Sequence, residues 1–294
     1  MGDLVTDLVV RIQAPLAWAS DTPARIEPRP GGSAANTAAW LARSGAALEV
    51  HFVGRAGADP FGDLQERELA RLGVRVHLAR DSRRPTGLIV LLVDAEGERS
   101  MLTDRGANLA LAPADLPVAL FVPGAHLHLS GYVLLDPGPR AAGREAIRLA
   151  LAAGMSVSVD AASASLLARE GASSWFRWSG GASLLFANRE EAEVLGGGRG
   201  RRRSPETLAL ELADRYGEAV VKLGRDGAVW ADRRGALRRA PAPRVPVVDT
   251  TGAGDAFAAG WLGARLTGGS PAEAMRAALR LASEAVRHVG ARPV

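Results

Sequence analysis

The sequence predicts an α/β protein: a doubly wound, mostly parallel sheet with helices on both faces, plus a small β lid. Three observations predict it. From about Ala125 onward, short apolar runs alternate with longer helical ones, the pattern of βαβ units, which must be covered on both faces. The stretches 8–28 and 74–103 have extended character and few helical features. Two glycine-rich turns, one near each end of the chain, each open an alanine-rich helix.

Taken in order, the first glycine pair is Gly31-Gly32, and the helix it opens runs through Asn36 toward Gly45. The lid is expected from segments 8–28 and 74–103, with a turn at Ala95-Glu96-Gly97. The alternating half begins with a strand at His126–Leu129, followed by a helix within Pro139–Ala153 and strands at Ser156–Asp160 and Leu184–Ala187. A helix from Arg189, another over Pro205–Tyr216 and a strand at Ala219–Leu223 continue it. The small apolar residues from Ala253 to Leu266 read as a buried helix. In such a sheet, ligands bind at the carboxyl ends of the strands, where Asn188, Gly224 and Gly252 fall.

The stretch carrying most chemistry is Asp249-Thr-Thr-Gly-Ala-Gly-Asp255-Ala-Phe257. Gly252 and Gly254 permit a tight turn, with successive N–H groups pointing outward at a helix N-terminus, where phosphate oxygens are well accommodated. A carboxylate in a purely anion-binding turn would repel its ligand. Asp255 therefore reads as a general base that takes a proton from a hydroxyl attacking a phosphoryl group held by the amides of Gly252, Ala253 and Gly254. The plainer alternative is an aspartate that caps the helix.

The two glycine signatures together resemble the ribokinase-like carbohydrate kinases, the PfkB family of sugar and nucleoside kinases. The intervening Gly54-Arg-Ala-Gly57-Ala-Asp59-Pro-Phe-Gly62, Gly106-Ala-Asn108, Asn188-Arg-Glu-Glu191 and Leu223-Gly224-Arg-Asp-Gly227 follow in that family's order, so the resemblance covers nearly the whole chain. It implies a single ribokinase-like kinase domain over residues 1–294 in which Asp255 is the catalytic base and the amides from Gly252 to Asp255 form the anion hole. It further implies substrate binding by Asp7, Gly31, Gly32, Asn36 and Asn108, and nucleotide binding by Asn188, Lys222, Gly224 and Gly227. Lys222 is expected only to approach the nucleotide, with no catalytic role. Glu191 would order Mg²⁺ through water. Asp249 and Thr251 match positions that in some members hold a monovalent cation, usually potassium, with the stretch around Gly290 closing that site. ATP and Mg²⁺ are the implied cofactors, and the lid the implied surface for a homodimer. Family members usually begin with an apolar strand, whereas this chain opens at Met1-Gly2-Asp3. A start further upstream is the expectation, and added upstream residues should raise the melting temperature.

Composition narrows the alternatives. At 294 residues and 47% hydrophobic, the chain can bury one large α/β core, with no room for a second catalytic domain. Apolar runs such as Leu88–Val93 and Val118–Val122 are far shorter than the roughly 20 residues of a membrane span, so a cytoplasmic protein is expected. Zero cysteines remove thiolate catalysis and cysteine-ligated zinc. His126-x-His128 would share one strand face, where ordinary packing is the commoner reading than a metal site. The net charge is only +4 and every basic residue except Lys222 is arginine. The run Arg199-Gly-Arg-Arg-Arg203 lacks interleaved aromatics and reads as a solvated loop, so no nucleic-acid partner is expected.

The leading expectation is thus an ATP-dependent kinase acting on a hydroxyl, normally primary, of a small carbohydrate. A nucleoside acceptor is the alternative within catalysis, and an aromatic clamp from Trp18, Phe121 or Tyr132 would support it. A keto-acid sugar would need a cation such as Arg105, although Asp104 beside it suits hydroxyl recognition. A non-catalytic sugar or nucleotide sensor is the alternative outside catalysis; retention of Asp255 speaks against it. No Gly-x-x-x-x-Gly-Lys-Ser/Thr motif occurs, and Gly252-x-Gly254 continues to Phe257 rather than to a dinucleotide fingerprint.

Overall fold

A computed structural model describes residues 1–94, 99–197 and 203–294. The expected turn at 95–97 and all of the basic run except Arg203 lie outside the described residues.

The main sheet has six strands in the order β12-β11-β10-β9-β8-β7. These are β7 (His126–Ser130), β8 (Ser156–Asp160), β9 (Leu184–Asn188), β10 (Glu218–Lys222), β11 (Ala228–Asp232) and β12 (Leu237–Ala240). β7 to β10 pair in parallel, and β11 and β12 close the edge antiparallel. Alternate residues serve opposite faces. Leu185, Ala187, Val221 and Val229 enter one core with α4 (Arg140–Ala152), α5 (Ala164–Glu170), α6 (Ala172–Trp178), α7 (Arg189–Leu195) and α8 (Pro205–Tyr216). Leu184, Phe186, Val220 and Trp230 enter the other, against α9 (Ala253–Leu266) and α10 (Pro271–Ala285). Both faces being covered explains why these strands read as continuous apolar runs. A short α3 (Tyr132–Leu135) follows β7.

The N-terminal half adds α1 (Ser33–Arg43), α2 (Pro60–Arg71) and two further sheets. A four-stranded sheet in the order β2-β1-β5-β6 comprises β1 (Val5–Ile12), β2 (Ala24–Gly31), β5 (Gly87–Val93) and β6 (Arg99–Asp104). This is the expected lid, with one correction. Residues 75–81 do not belong to it: they form β4 (Arg75–Asp81), which pairs in parallel with β3 (His51–Gly57) as a separate two-stranded sheet. The α2 crossover joins β3 to β4, and Val74 is buried with Phe52, Leu69 and Leu72, so this segment's apolar positions are committed to the body of the molecule. Met1 and Gly2 lie between β7 and β3: Ser130 N donates to Met1 O (3.2 Å) and Gly2 N to Val53 O (3.0 Å). The α-amino group donates to His128 O at 2.8 Å, and loss of water pushes its pKa down to about 5.

His126 and His128 do share a face of β7. Serines satisfy them: His126 meets Ser156 and Ser158, and His128 meets Ser158, at 2.7–2.8 Å. Burial holds both imidazoles below their usual pKa.

Candidate active site

The turn Thr250–Gly254 leads into α9, whose first turn carries Asp255. Gly252 is required there. Its φ is 76°, and a Cβ would lie 2.5 Å from the Ala291 carbonyl oxygen. Asp249 clamps the turn from behind: its Oδ1 accepts from Thr251 N (2.9 Å) and Thr251 Oγ1 (2.6 Å), and its Oδ2 from Gly290 N (3.0 Å). The structure thus brings Asp249, Thr251 and Gly290 together as expected, with the carboxylate engaged in hydrogen bonds within the protein.

The second glycine turn faces the first. Gly32 has φ 96° and packs on the Asp3 backbone, and Gly31 leaves room for Asp7, whose carboxylate a Cβ would meet at 2.5 Å. Helix α1 is capped from a distance by Asp3, which accepts from Ser33 N (3.2 Å) and Ala34 N (3.4 Å). Its first turn presents two donors to the candidate base: Ser33 Oγ to Asp255 Oδ1 at 2.8 Å and Asn36 Nδ2 to Asp255 Oδ2 at 2.9 Å. The dry surroundings of the Asp255 carboxyl raise its pKa to about 7; the bonds from Asn36 and Ser33 pull the other way. A carboxyl poised near neutrality, at the mouth of a glycine-rich turn, is suited to take a proton from an alcohol.

Asp7 lies on β1 with its carboxyl raised to about 6, chiefly by burial, with Arg292 opposing. Arg292 is a residue the sequence did not reveal. It is 7% exposed, donates through Nη2 to Gly31 O (2.9 Å) and through Nε to Asn36 Oδ1 (3.3 Å), and its Nη1 has no partner among the described residues. Asp7, Gly31, Gly32, Asn36 and Arg292 thus form one polar wall beside Asp255.

Asn108 is engaged within the protein. Its Nδ2 donates to Leu4 O and Arg105 O, and its Oδ1 accepts from Leu4 N, each at 2.9 Å. Both donors are engaged, so this buried amide fastens the residue before β1 to the turn after β6. Arg105 is likewise occupied, paired with Asp136 at 2.8 Å and stacked 4.2 Å over the Tyr132 ring. Asp104 caps Gly106 N through Oδ1 at 2.9 Å, and its side chain is exposed. Of the three aromatic candidates, Tyr132 feels the site's carboxylates: burial, and then the charges of Asp3, Asp255 and Glu191, raise its phenol pKa. Trp18 is 87% exposed, and Phe121 packs on the main core.

On the sheet side, Asp160, Asn188 and Lys222 end the neighbouring strands β8, β9 and β10. Asn188 and Glu191 form a capping box: Asn188 Oδ1 accepts from Glu191 N (2.9 Å), while Asn188 N and Nδ2 donate to the Glu191 carboxylate (2.7 and 2.9 Å). Glu191 is 3% exposed, and burial, then the Asp160 charge, raise its carboxyl pKa to about 7. Lys222 Nζ donates to Asp160 Oδ2 at 2.6 Å. Asn188, Lys222, Leu223, Gly224 and Asp226 line a cavity of about 260 Å³. Gly224 has φ 59°, and Gly227 (φ 89°) closes the turn after Lys222, its carbonyl accepting from Leu223 N at 2.8 Å. Among the described residues no group of three or more His, Cys, Asp or Glu side chains could hold a metal directly, and no helix is long and apolar enough to cross a membrane.

Residues 3–294 match the family model described as pfkB family carbohydrate kinase. A fructokinase from Klebsiella pneumoniae is 32% identical over 92% of this chain and 85% of its own length. An adenosine kinase from Sinorhizobium meliloti superposes with TM-score 0.89 at 27% identity, covering 100% of this chain and 94% of that one. An aminoimidazole riboside kinase from Salmonella enterica, complexed with aminoimidazole riboside and an ATP analogue, superposes with TM-score 0.76 at 28% identity over 99% and 93% of the two chains. Ribokinase-fold enzymes are thus the structural neighbours of this chain, and its relatives are phosphotransferases acting on hydroxyl groups. The chain belongs to the PfkB family of carbohydrate kinases.

Proposed function

We infer that this enzyme transfers the γ-phosphoryl group of ATP to a hydroxyl, normally primary, of a small carbohydrate, with Asp255 as general base. The observation that carries this reading is the Asp255 carboxyl, held by Ser33 and Asn36 at the mouth of the Gly252–Gly254 turn. The substrate hydroxyl would lie between Asp255 and the turn. Asp7, Asn36 and Arg292 offer both acceptors and donors, the combination that vicinal hydroxyls need. The nucleotide would occupy the cavity at Asn188, Lys222 and Gly224, on the other side of the turn. Mg²⁺ fits the same region, where Asp160 and Asn188 end neighbouring strands and Glu191 lies in the first turn of the following helix, oxygen donors of the kind that hold this ion through its water shell. When bound, it would neutralise phosphate charge, and Glu191 would hold it through water. A monovalent cation at the Asp249–Thr251 clamp belongs to the same proposal.

A nucleoside acceptor is the second reading, favoured by Tyr132, within the field of the site's carboxylates, and by the likeness to the adenosine kinase. A coupled ADP-release assay with ATP and Mg²⁺, over pentoses, ketohexoses, keto-acid sugars and nucleosides, with and without potassium, tests both. Turnover on a sugar is the expected result. Turnover on nucleosides alone would establish the second reading, and silence from folded protein would contradict both.

The lid would also carry a dimer contact. By strand alternation, Leu8, Val10, Val90, Leu92, Ile26 and Leu102 share the face opposite Asp7, and Ile26 and Leu102 are 60% and 62% exposed. Leu102→Arg should convert a dimer to monomer in sedimentation analysis; an unchanged dimer would place the contact elsewhere.

A further inference from the structure

Lys222 is the chain's sole lysine among 36 basic residues, and it sits where the nucleotide cavity meets the anion-binding turn. It lines that cavity, yet its Nζ lies 3.3 Å from where a Cβ at Gly254 would stand. Three carboxylates surround it. Asp160 holds it directly, and Glu191 and Asp255 add to the field that keeps it protonated against the cost of burial. Asp160 is itself fixed, accepting from Ala162 N at 3.1 Å through its other oxygen. The ammonium is thus aimed by the ends of β8 and β10 at one point between donor and acceptor.

We propose that Lys222 is a catalytic residue that neutralises the non-bridging oxygens of the phosphoryl group in flight, with Asp160 as the residue that positions it. This rests on the kinase reading and deepens it. In the step, Asp255 removes the proton of the attacking hydroxyl, whose oxygen forms the new bond to the γ-phosphorus. The bond from that phosphorus to the β,γ-bridging oxygen breaks, and its electron pair stays on ADP. Lys222 gains and loses no proton. Charge in this transfer spreads over the equatorial oxygens of the moving group, so a fixed cation there favours the transition state over bound ATP. A compact ammonium reaches a single point among three carboxylates, where a planar guanidinium would pair with them at two. That difference accounts for a lysine at this one position in a chain otherwise served by arginine.

The test uses the whole enzyme and compares Mg·ADP with Mg·ADP plus aluminium fluoride, a mimic of the moving phosphoryl group that needs no known acceptor. In calorimetry, Lys222→Met should bind Mg·ADP within about 3-fold of the unmodified protein but lose at least roughly 30-fold for the fluoride complex, and kcat should fall about 10²- to 10³-fold, as for a lost charge-stabilising donor. With lysine labelled at Nζ, the single ammonium NMR signal should shift on adding fluoride to the Mg·ADP complex. Because the chain has no cysteine, Lys222→Cys can be alkylated selectively with bromoethylamine. That restores an ammonium and should recover turnover, whereas a neutral methylthio cap should not, which separates lost charge from a damaged fold. Equal losses for both complexes, no loss for either, or a signal indifferent to fluoride would overturn the proposal. Failure of the unmodified protein to bind Mg·ADP at all would instead overturn the kinase reading beneath it.

Discussion

Replacing Asp255 with asparagine should lower turnover by about 10²-fold or more while making the protein more stable. The first effect follows from removing the general base while leaving a side chain of equal size, so substrate and nucleotide affinities should change little. The second follows from the carboxyl's surroundings. Its pKa stands near 7 in the fold against 3.8 as a free side chain, so the native state favours the protonated form. The corresponding stability is fully present below pH 3.8 and is lost as pH rises through about 7. Asparagine does not titrate. The variant should therefore melt a few degrees above the parent at pH 8, with the gap closing toward acid pH, and a scan of melting temperature against pH checks it. Equal turnover would remove Asp255 from the chemistry, and a pH-independent gap would remove desolvation as the cause of its raised pKa.

Gly252→Ala should be nearly as damaging to turnover, by a different route. The αL backbone costs alanine roughly 1–2 kcal/mol, and at φ 76° the added Cβ would stand 2.5 Å from the Ala291 carbonyl oxygen. The turn must shift, and its amides with it. Misplacing anion-hole donors costs about 10²- to 10³-fold in kcat. Gly154→Ala, just before β8 and so at the strand end away from the site, is the control: it has φ 73° but no atom within 4 Å of a Cβ, so it carries the backbone strain without the clash. A similar kcat loss in both variants would mean that strain alone, and not displacement of the turn, is responsible.

Much of this was legible in the sequence where the physics is local. The expected strand at Ser156–Asp160 and the helices at Pro205–Tyr216 and Ala253–Leu266 coincide with the observed elements, because apolar runs bounded by caps and prolines define their own ends. β4 was misplaced because a strand's sequence carries its propensity but not its partner, and only α2 packing over β3 commits it to the body. Asn108 shows the same limit from the other side. Its motif is visible, but the backbone of Leu4 that uses its amide lies 104 residues away. Arg292 and Asp160 gave no local signal, since Arg292 meets Asn36 across 256 residues and Asp160 meets Lys222 across 62. A polar side chain near the end of a strand, or close to the C-terminus, looks ordinary until the chain folds around it.

The most direct test of the central claim is the pH dependence of kcat/KM in the parent and in Ser33→Ala, on whichever acceptor the parent phosphorylates. The Ser33 hydroxyl stabilises the Asp255 carboxylate, so the parent's activity should rise with pH through about 7 and level off, and the variant's rise should move to higher pH. A profile that stays flat across neutrality, or a rise that does not move when Ser33 is removed, would contradict Asp255 as the base.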